Sequence, residues 1–184
     1  MVNREAHDSG IKFIFEMKST VQTINTLAKE FLTHNRIAVA GASGKTHNVG
    51  NYIYSTLRSK GYSVFAINPN AERIEGDTCY PDLYSLPKPV DGVVITARPS
   101  VSEQIVRQCV DLGIKFVWMH NMQGTRWQSA GVPKSGTSVS PEAVRLCREH
   151  GITVIPGSCP MQFIGDFGHR CMGWVLRAVG AMRA

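Results

Sequence analysis

A three-layer α/β/α fold around a doubly wound, parallel five-stranded sheet is predicted from the order of the segments along this chain. Short, continuously apolar stretches alternate with segments whose apolar residues recur every three or four positions. Strands buried on both faces have such continuous apolar sequences, and helices on both sides of a parallel sheet bury them in that way. The 184 residues are enough for one domain with a substantial core.

The first half of the predicted fold begins at residue 19. Ser19 or Thr20 is predicted to cap a helix with one apolar stripe, which comprises Val21, Ile24, Leu27, Ala28, Phe31 and Leu32. A strand over residues 37–40 comes next. The helix after it has Val49, Ile53 and Leu57 on one face and ends at Gly61. The second strand, residues 62–67, closes in Asn68-Pro69-Asn70, and the region up to residue 91 is read as irregular.

The second half repeats the alternation of strand and helix. Residues 92–96, 116–119 and 152–155 are the remaining strands. Pro99 is predicted to begin a helix with a capping box from Ser100 to Glu103, and Val101, Ile105 and Cys109 are assigned to its buried face. Ser140-Pro141-Glu142 combines a serine cap, a proline at the first helical position and an acid in the first turn, which predicts another helix.

A last helix is predicted over residues 166–179. Its apolar stripe is Phe167, Cys171, Trp174, Val175, Ala178 and Val179, and Cys171 is expected to face the core. This helix, with Trp174 and Met182, is expected to pack on its own sheet or on another copy of the chain. Residues 1–18 show no clean periodicity, as is typical of a disordered segment, and are predicted to be a leader. Residues 19–184 are predicted to be one domain.

Composition excludes several function classes. Apolar residues make up 43% of the chain, but no apolar run approaches the ~20 residues of a membrane span, so no membrane is expected as a partner. Five cysteines without C-x-x-C spacing argue against a disulfide framework or a metal site, and indicate reduced thiols in a cytoplasmic protein. The net charge of +6 is scattered, so no nucleic-acid partner is expected, and a solvated surface is the simplest interpretation.

The segment from residue 36 to residue 50 has the strongest functional signal. A short apolar strand runs into Gly41-Ala42-Ser43-Gly44, and a helix follows. In this geometry free backbone N–H groups and the positive end of a helix dipole face an anion, commonly a phosphate. Two other loops, at residues 68–69 and 96–98, end strands at the same predicted edge of the sheet. The alternative is that Gly41 and Gly44 merely permit a tight turn.

Two ligand classes that use this geometry fit less well. A dinucleotide site has a G-x-G-x-x-G turn and an acid at the end of the second strand, whereas Gly50 comes six residues after Gly44 and the second strand ends in Asn68-Pro69. A Walker A loop has four residues between its glycines, whereas Gly41 and Gly44 are separated by two. No later strand ends in an aspartate that could hold magnesium, since Asp91 precedes its strand.

Coenzyme A is the third ligand class, and here the whole pattern resembles a known family. The matching motifs are residues 39–43 with 48–50, 61–70, 76–83, 90–94 and 117–118, and the segment near Gly151. They resemble the standalone CoA-binding proteins, relatives of the Rossmann-like N-terminal domain of the succinyl-CoA synthetase alpha subunit. The resemblance covers residues 32–159 and implies a Rossmann-like fold and a coenzyme A or acyl-CoA ligand.

The resemblance also implies a binding site. The backbone and hydroxyl donors to the pyrophosphate would come from Gly41, Ala42 and Ser43, with the charge of Lys45 and a helix start at Asn48, Val49 and Gly50. Asn68 and Pro69 would flank the adenosine, and Arg73 would bind the ribose phosphate. Thr96, Ala97 and Arg98 would form the opposite wall. Alternatively, Lys45 is solvated and Arg73 or Arg98 pairs with surface carboxylates.

The resemblance supplies no catalytic residue, and none is assigned. The chain departs from the family pattern at residues 119–124, and an insertion-like stretch over residues 125–137 follows. His120 could be a general base, although a polar wall residue is the commoner role for such a histidine. Cys159 could form a mixed disulfide with coenzyme A, but a buried thiol is favoured. The alternatives to a non-catalytic module, alone or with a partner protein, are an NAD(P)-dependent oxidoreductase and a scaffold with a vestigial pocket.

Overall fold

A seven-stranded sheet forms the centre of the molecule. The structure is a computed structural model that describes residues 23–45, 48–121 and 136–178. Going across the sheet, the strands lie in the order β3-β4-β2-β1-β5-β6-β7, and all neighbours are parallel except β3 and β4. The strands are β1 Arg36–Ala40, β2 Ser63–Ile67, β3 Arg73–Ile74, β4 Asp77–Tyr80, β5 Gly92–Ile95, β6 Phe116–Met119 and β7 Thr153–Pro156.

Six helices are described, and four of them cover the two faces of the sheet. They are α1 Ile24–Phe31, α2 Val49–Ser59, α3 Pro99–Asp111, α4 Pro141–Glu149, α5 Met161–Ile164 and α6 Phe167–Ala178. Helices α1 and α2 pack on one face, and α3 and α4 on the other. The three-layer, doubly wound α/β architecture predicted from the sequence is therefore confirmed.

The alternation of side chains along each strand divides the core between the two faces. In β1, Ile37 and Val39 pack with α1 and α2, whereas Ala38 and Ala40 pack with α3 and α4. On the first face Trp118 of β6 is fully buried, and its ring lies edge-on to Phe31 of α1 at 5.3 Å between centroids. Because both faces are covered, the strands need apolar residues at every position, which explains their unbroken apolar sequences.

The predicted number of strands is wrong by two. The region after Asn68-Pro69-Asn70 contains a hairpin of β3 and β4, and β4 also pairs in parallel with β2. The connecting residues are Glu75 at φ +50° and Gly76 at φ +86°, the pair of positive values that a tight two-residue hairpin turn requires. Such short strands give almost no periodicity, and glutamate is an unusual residue at a positive φ, so the hairpin had no clear sequence signal.

Two predicted helix caps are also wrong. Helix α1 begins at Ile24 with Thr23 as its cap, whose hydroxyl accepts from the N–H of Thr26, and the predicted caps lie outside the described residues. Helix α3 begins at Pro99 as predicted, but Arg98 occupies the cap position and the capping box does not form. Glu103 instead accepts a hydrogen bond from the Ser140 hydroxyl at 2.6 Å, which joins α3 to the start of α4.

The last described helix, α6, presents apolar side chains to solvent. Phe167, Trp174 and Val175 are exposed, and so is Cys171, which contradicts the predicted core-facing position of that cysteine. Asp166 caps the helix by accepting from the N–H of His169, and it also accepts from the Tyr52 hydroxyl of α2 at 3.1 Å. The predicted positions Val179 and Met182 lie outside the described residues.

Candidate functional site

The predicted phosphate turn lies where the strand order reverses. Strand β1 leads to β2 on one side, while β5 pairs with β1 on the other side, so the crevice between β1 and β5 is the topological switch point. In open α/β sheets this crevice, outside the carboxyl ends of the strands, is where ligands bind. The turn after β1 and the residues after β5 meet there.

Two glycines allow an unusually close approach at this switch point. A Cβ on Gly41, whose φ is +110°, would lie 2.6 Å from the Thr96 hydroxyl, and a Cβ on Gly50 would lie equally close to the same atom. The Gly50 position would also approach the backbone nitrogen of Ala42 at 2.8 Å. The start of α2 is therefore packed directly on the turn, which is the arrangement of strand-turn-helix sites that bind anions at the start of a helix.

Asparagine side chains hold the turn in shape. Asn48 caps α2, and its Nδ2 donates to the carbonyl of Gly41 at 3.1 Å. Asn68, at the end of β2, donates from Nδ2 to the carbonyl of Ala42 at 2.7 Å. The predicted site residues Asn48 and Asn68 therefore support the backbone of the turn. Asn68 lies at the position where dinucleotide sites carry an acid, and here its side chain bonds the turn instead.

Asn51 is the residue that the sequence analysis missed. It is buried, and its Oδ1 accepts from the N–H of Ser43 at 2.9 Å while its Nδ2 donates to the Ser43 carbonyl at 3.0 Å and to the Glu75 carboxylate at 2.8 Å. It also completes a capping box with Asn48. The three-residue spacing of the two asparagines was the available signal, although a glutamate or glutamine is more usual at that position.

A cavity of about 300 Å³ lies between the turn and the β3–β4 hairpin. It is lined by Ser43, Gly44, Lys45, Asn51, Arg73, Glu75 and Gly76. Arg73 donates to the carbonyl of Gly76 at 2.6 Å, and its remaining donors are on an exposed side chain. The predicted cations Lys45 and Arg73 are thus brought to one cavity, next to a carboxylate that the sequence did not assign to it.

The other predicted residues lie on either side of this cavity. A second, open cavity of about 610 Å³ is lined by residues 68–72, Thr78, Cys79 and Pro81, with Pro69 exposed at its rim. Thr96 donates its hydroxyl to the carbonyl of Ala40, and Ala97 is half-buried beside Gly41. Arg98 is exposed at the start of α3 and lines neither cavity.

The hairpin wall of the cavity is tied to α2 away from the turn. The hydroxyl of Tyr54 donates to Asp77 at 2.8 Å, and Arg58 pairs with the same carboxylate. The hydrogen bond from Tyr54, together with the Arg58 charge, lowers the pKa of Asp77. Because Asp77 begins β4, these contacts hold the hairpin, and with it Arg73 and Glu75, against the helix that bears the turn.

Burial removes the chemistry considered for His120 and Cys159. His120 is 3% exposed, and burial lowers its pKa to about 4, far from the near-neutral value of an efficient general base. Burial raises the pKa of the Cys159 thiol to about 11, so little thiolate is present near neutral pH. All five cysteines are free, and among the described residues no cluster of three metal-ligating side chains occurs.

The buried neutral His120 should make stability depend on pH. We expect the urea midpoint of unfolding to fall as the pH is lowered from 6.5 towards 5, because the imidazole takes up a proton in the unfolded chain but stays neutral in the folded one until about pH 4. The stability that depends on the neutral imidazole is fully present above pH 6.5 and is lost progressively as the pH falls from 6.5 to about 4. Urea titrations of the native protein and His120→Phe at pH 7.0 and 5.5 measure it, and equal pH dependence in both would contradict it.

The fold and the turn together are typical of a protein class, namely doubly wound α/β domains with a strand-turn-helix segment at the switch point, where ligands bind in such sheets. Comparison with protein families gives a more specific assignment than the fold does. Residues 35–163 match the family described as CoA binding domain, and the chain belongs to this family. None of the helices in the described ranges is long and apolar enough to cross a membrane.

Sequence relatives include archaeal ligases. The chain is 29% identical over 123 residues to acetate–CoA ligase [ADP-forming] I of Archaeoglobus fulgidus. This match covers 67% of this chain and 17% of the ligase. It is 24% identical over 133 residues to the alpha subunit of acetate–CoA ligase [ADP-forming] II of Pyrococcus furiosus, over 70% of this chain and 27% of that subunit. The chain therefore spans well under a third of the length of these relatives.

Solved structures share the fold. A hypothetical protein from Pyrococcus horikoshii OT3 superposes with a TM-score of 0.63 at 25% identity, covering 76% of this chain and 88% of that one. The dinucleotide-forming acetyl-coenzyme A synthetase 1 of Ca. Korarchaeum cryptofilum, in complex with phosphate and ADP, gives a TM-score of 0.52 at 28% identity, covering 65% of this chain and 25% of that one. The similarity to a succinyl-CoA synthetase-like domain is confirmed.

Proposed function

We propose that this protein binds coenzyme A or an acyl-CoA at the turn between β1 and α2, without catalysing a reaction on it. The observation that carries the proposal is the double close approach of Gly41 and Gly50 to Thr96, which packs the start of α2 directly on the turn at the switch-point crevice. Membership of the CoA-binding family and similarity to ligases named for coenzyme A support the choice of ligand.

The proposed pose follows the geometry of the described cavities. The pyrophosphate would lie against residues 41–43 and the start of α2, where the helix dipole favours negative charge. The N–H groups of Gly41 and Ser43 already donate to Ile67 and Asn51, so the dipole and the cationic side chains would supply the attraction. The adenosine would lie towards Asn68 and Pro69, with its phosphate at Arg73 and Lys45. Thr96, Ala97 and Arg98 would form the opposite wall, and the exposed guanidinium of Arg98 would donate to a phosphate oxygen.

Calorimetry with competing ligands tests the proposal. We expect titration with coenzyme A to give a saturable heat, and titration with NAD or ATP to give much weaker binding. The expected weakness towards NAD has a structural reason, because Asn68 is bonded to Ala42 at the position where dinucleotide sites place an acid. Tight NAD binding without coenzyme A binding would overturn the proposal in favour of an NAD(P)-dependent oxidoreductase.

Charge substitutions test the assigned walls of the site. We expect Lys45→Ala and Arg98→Ala each to weaken coenzyme A binding about three- to tenfold at low salt, because each removes a partly solvated phosphate contact worth roughly 1 kcal/mol. Isothermal titration at 50 and 300 mM salt measures the affinities, and the difference between variants and native protein should shrink at the higher salt.

Lys60→Ala is the matched control for these substitutions. Lys60 is an exposed lysine at the carboxyl end of α2, about 16 Å along the helix from the turn at 1.5 Å per residue. Its removal changes the net charge by the same amount and should leave the affinity within about twofold at either salt. Unchanged affinity in both Lys45→Ala and Arg98→Ala, or an equal loss in Lys60→Ala, would refute the assigned walls.

A further inference from the structure

Helix α6 has two opposite faces with different surroundings. On one face His169 is half-buried, with its ring centroid 5.4 Å from that of Tyr52 in α2, and Gly173, one turn further on, is buried. The opposite face is exposed, and its residues are Phe167, Cys171, Trp174 and Ala178. The helix therefore packs on its own domain with one side and presents an apolar stripe to solvent with the other.

This exposed stripe has the spacing of a helix–helix seam. Its four residues are separated by four, three and four positions, which is the a/d alternation by which two helices pack along a narrow apolar stripe. Phe167 is 86% exposed and Trp174 is 66% exposed. These two side chains expose roughly 300 Å² in each copy, and an apolar patch of this size on a soluble protein is often an interaction site.

The order of side-chain sizes along the stripe fits a second copy of α6. In an antiparallel pair with a two-fold axis at the centre of the helix, residue 167 faces residue 178 of the other copy, and residue 171 faces residue 174. Each layer then joins a large side chain to a small one, Phe167 to Ala178 and Trp174 to Cys171. Layers of this composition pack well, whereas a parallel pair would place Phe against Phe and Ala against Ala.

A groove beside the stripe has room for the aromatic residues of a second copy. It lies between α1 and α6, has a volume of about 680 Å³, and is lined by Lys29, Phe163 and Arg170 among others. A cavity of ~150 Å³ is enough for one benzene ring. Neither Lys29 nor Arg170 forms an ion pair with a described residue, and an unpaired cation attracts the face of an aromatic ring. One surface thus contains both halves of a two-fold contact.

The area of this surface is that of a weak, reversible dimer. Four aromatic side chains, two from each copy, supply roughly 600 Å², whereas specific interfaces bury about 1,200–2,000 Å² in total. Val175, which is 46% exposed, and the apolar stems of Lys29 and Arg170 lie beside the stripe and add to the area. Each copy also has a formal net charge of +6, so the two copies repel each other.

We propose that two copies of this chain associate through antiparallel α6 helices about a two-fold axis, with the aromatic residues of each copy in the groove of the other. The inference goes beyond the proposed function and does not depend on coenzyme A binding. The apolar stripe of α6 predicts packing on its own sheet or on another copy, and the exposure of Phe167 and Trp174 favours the other copy.

Sedimentation of the full chain at protein concentrations from about 1 to 200 µM tests the proposal. We expect native protein to change from monomer to dimer over this range, and to dimerise more strongly at 300 than at 50 mM salt because salt screens the repulsion between the copies. Trp174→Glu should raise the dissociation constant of the dimer at least a hundredfold, since the substitution occurs twice in a two-fold interface.

Leu112→Glu is the matched control for Trp174→Glu. Leu112 is 45% exposed at the end of α3, on the other face of the sheet, and its replacement adds the same charge. The dissociation constant should stay within about threefold of the native value. Dimerisation that is equally weakened in both variants, or unchanged in both, would show that the copies do not meet through α6.

Exchanging the side-chain sizes within one layer tests the antiparallel register. Phe167→Ala should weaken the dimer at least tenfold because the layer then contains only small side chains, and Ala178→Phe should weaken it because two phenylalanines then face each other. The double variant Phe167→Ala/Ala178→Phe again has one large and one small residue in the layer, so it should recover most of the native affinity. No recovery in the double variant would refute the register.

Alkylation of Cys171 follows the interface in native protein. Cys171 is exposed in the single chain and the other four cysteines are buried, so iodoacetamide should modify it selectively. Its rate should fall as the protein concentration rises, because Trp174 of the second copy covers it. Native protein that stays monomeric at every concentration would overturn the proposal. If Cys171 is then also protected, another part of the same chain covers the stripe.

Discussion

Gly50→Ala is expected to weaken coenzyme A binding strongly and to destabilise the fold by about 1–3 kcal/mol. The new methyl group would lie 2.6 Å from the Thr96 hydroxyl and under 3 Å from two backbone atoms of Ala42. Backbone atoms cannot rotate away, so α2 must move outward from the turn. That movement withdraws the helix N–H groups from the pyrophosphate, which should lower the affinity at least thirtyfold, or about 2 kcal/mol.

Gly168→Ala is the matched control for this substitution. Gly168 is the second residue of α6, as Gly50 is of α2, and its added methyl group would meet only Asp166 at an ordinary 3.5 Å. Alanine there should stabilise the helix by about 0.5–1 kcal/mol and leave binding unchanged. Calorimetric titration and urea unfolding of both variants measure these effects. Native affinity in Gly50→Ala would show that the turn does not contact the ligand.

Asn51→Ala is expected to produce the second largest effect, a loss of about 1–3 kcal/mol in stability and about tenfold in coenzyme A affinity. The substitution removes a buried side chain that bonds both backbone groups of Ser43 and reaches Glu75. The better helix propensity of alanine offsets only a few tenths of a kcal/mol. Because these hydrogen bonds hold Ser43 against α2, their loss should weaken the turn more than it weakens the rest of the domain.

Hydrogen exchange distinguishes a loosened turn from a generally weakened fold. Amide protection in residues 41–45 should fall in Asn51→Ala, whereas protection in β5 and β6 should fall only as far as global stability does. Asn25→Ala, which removes the same side chain from α1, is the control and should preserve protection in the turn and the affinity. Loss of protection spread evenly over the sheet would contradict a local role for Asn51.

The layers of the fold were predictable because burial on both faces gives each strand an unbroken apolar sequence. Strand β6, with Trp118 at its centre, was predicted at its observed bounds for this reason. The β3–β4 hairpin was not, since two- and four-residue strands carry no usable period and Glu75 adopts a turn conformation that its residue type does not suggest. Cys171, on the exposed face of α6, was assigned to the core because periodicity does not tell which surface covers an apolar stripe.

The candidate site was predictable as a backbone feature and less so as a set of side chains. Glycine spacing indicates a turn directly, and the structure places Gly41, Asn68 and Thr96 around one crevice. The role of Asn51 depends on contacts with Ser43 and Glu75, which lie 8 and 24 residues away along the chain. Contacts of that kind depend on the packing of α2 and the hairpin, which single-sequence patterns do not report.

The shortness of β3 affects how the protein behaves in solution. A sheet edge with many unpaired N–H and C=O groups is a template for pairing with another chain, and proteins shorten such edges to prevent aggregation. Here β4 turns the longer β2 into an interior strand, and β3 ends this side of the sheet after two residues. The hairpin that brings Arg73 to the cavity therefore also protects this edge of the sheet against edge-to-edge association, so the proposed ligand contact and the protection of the edge depend on the same few residues.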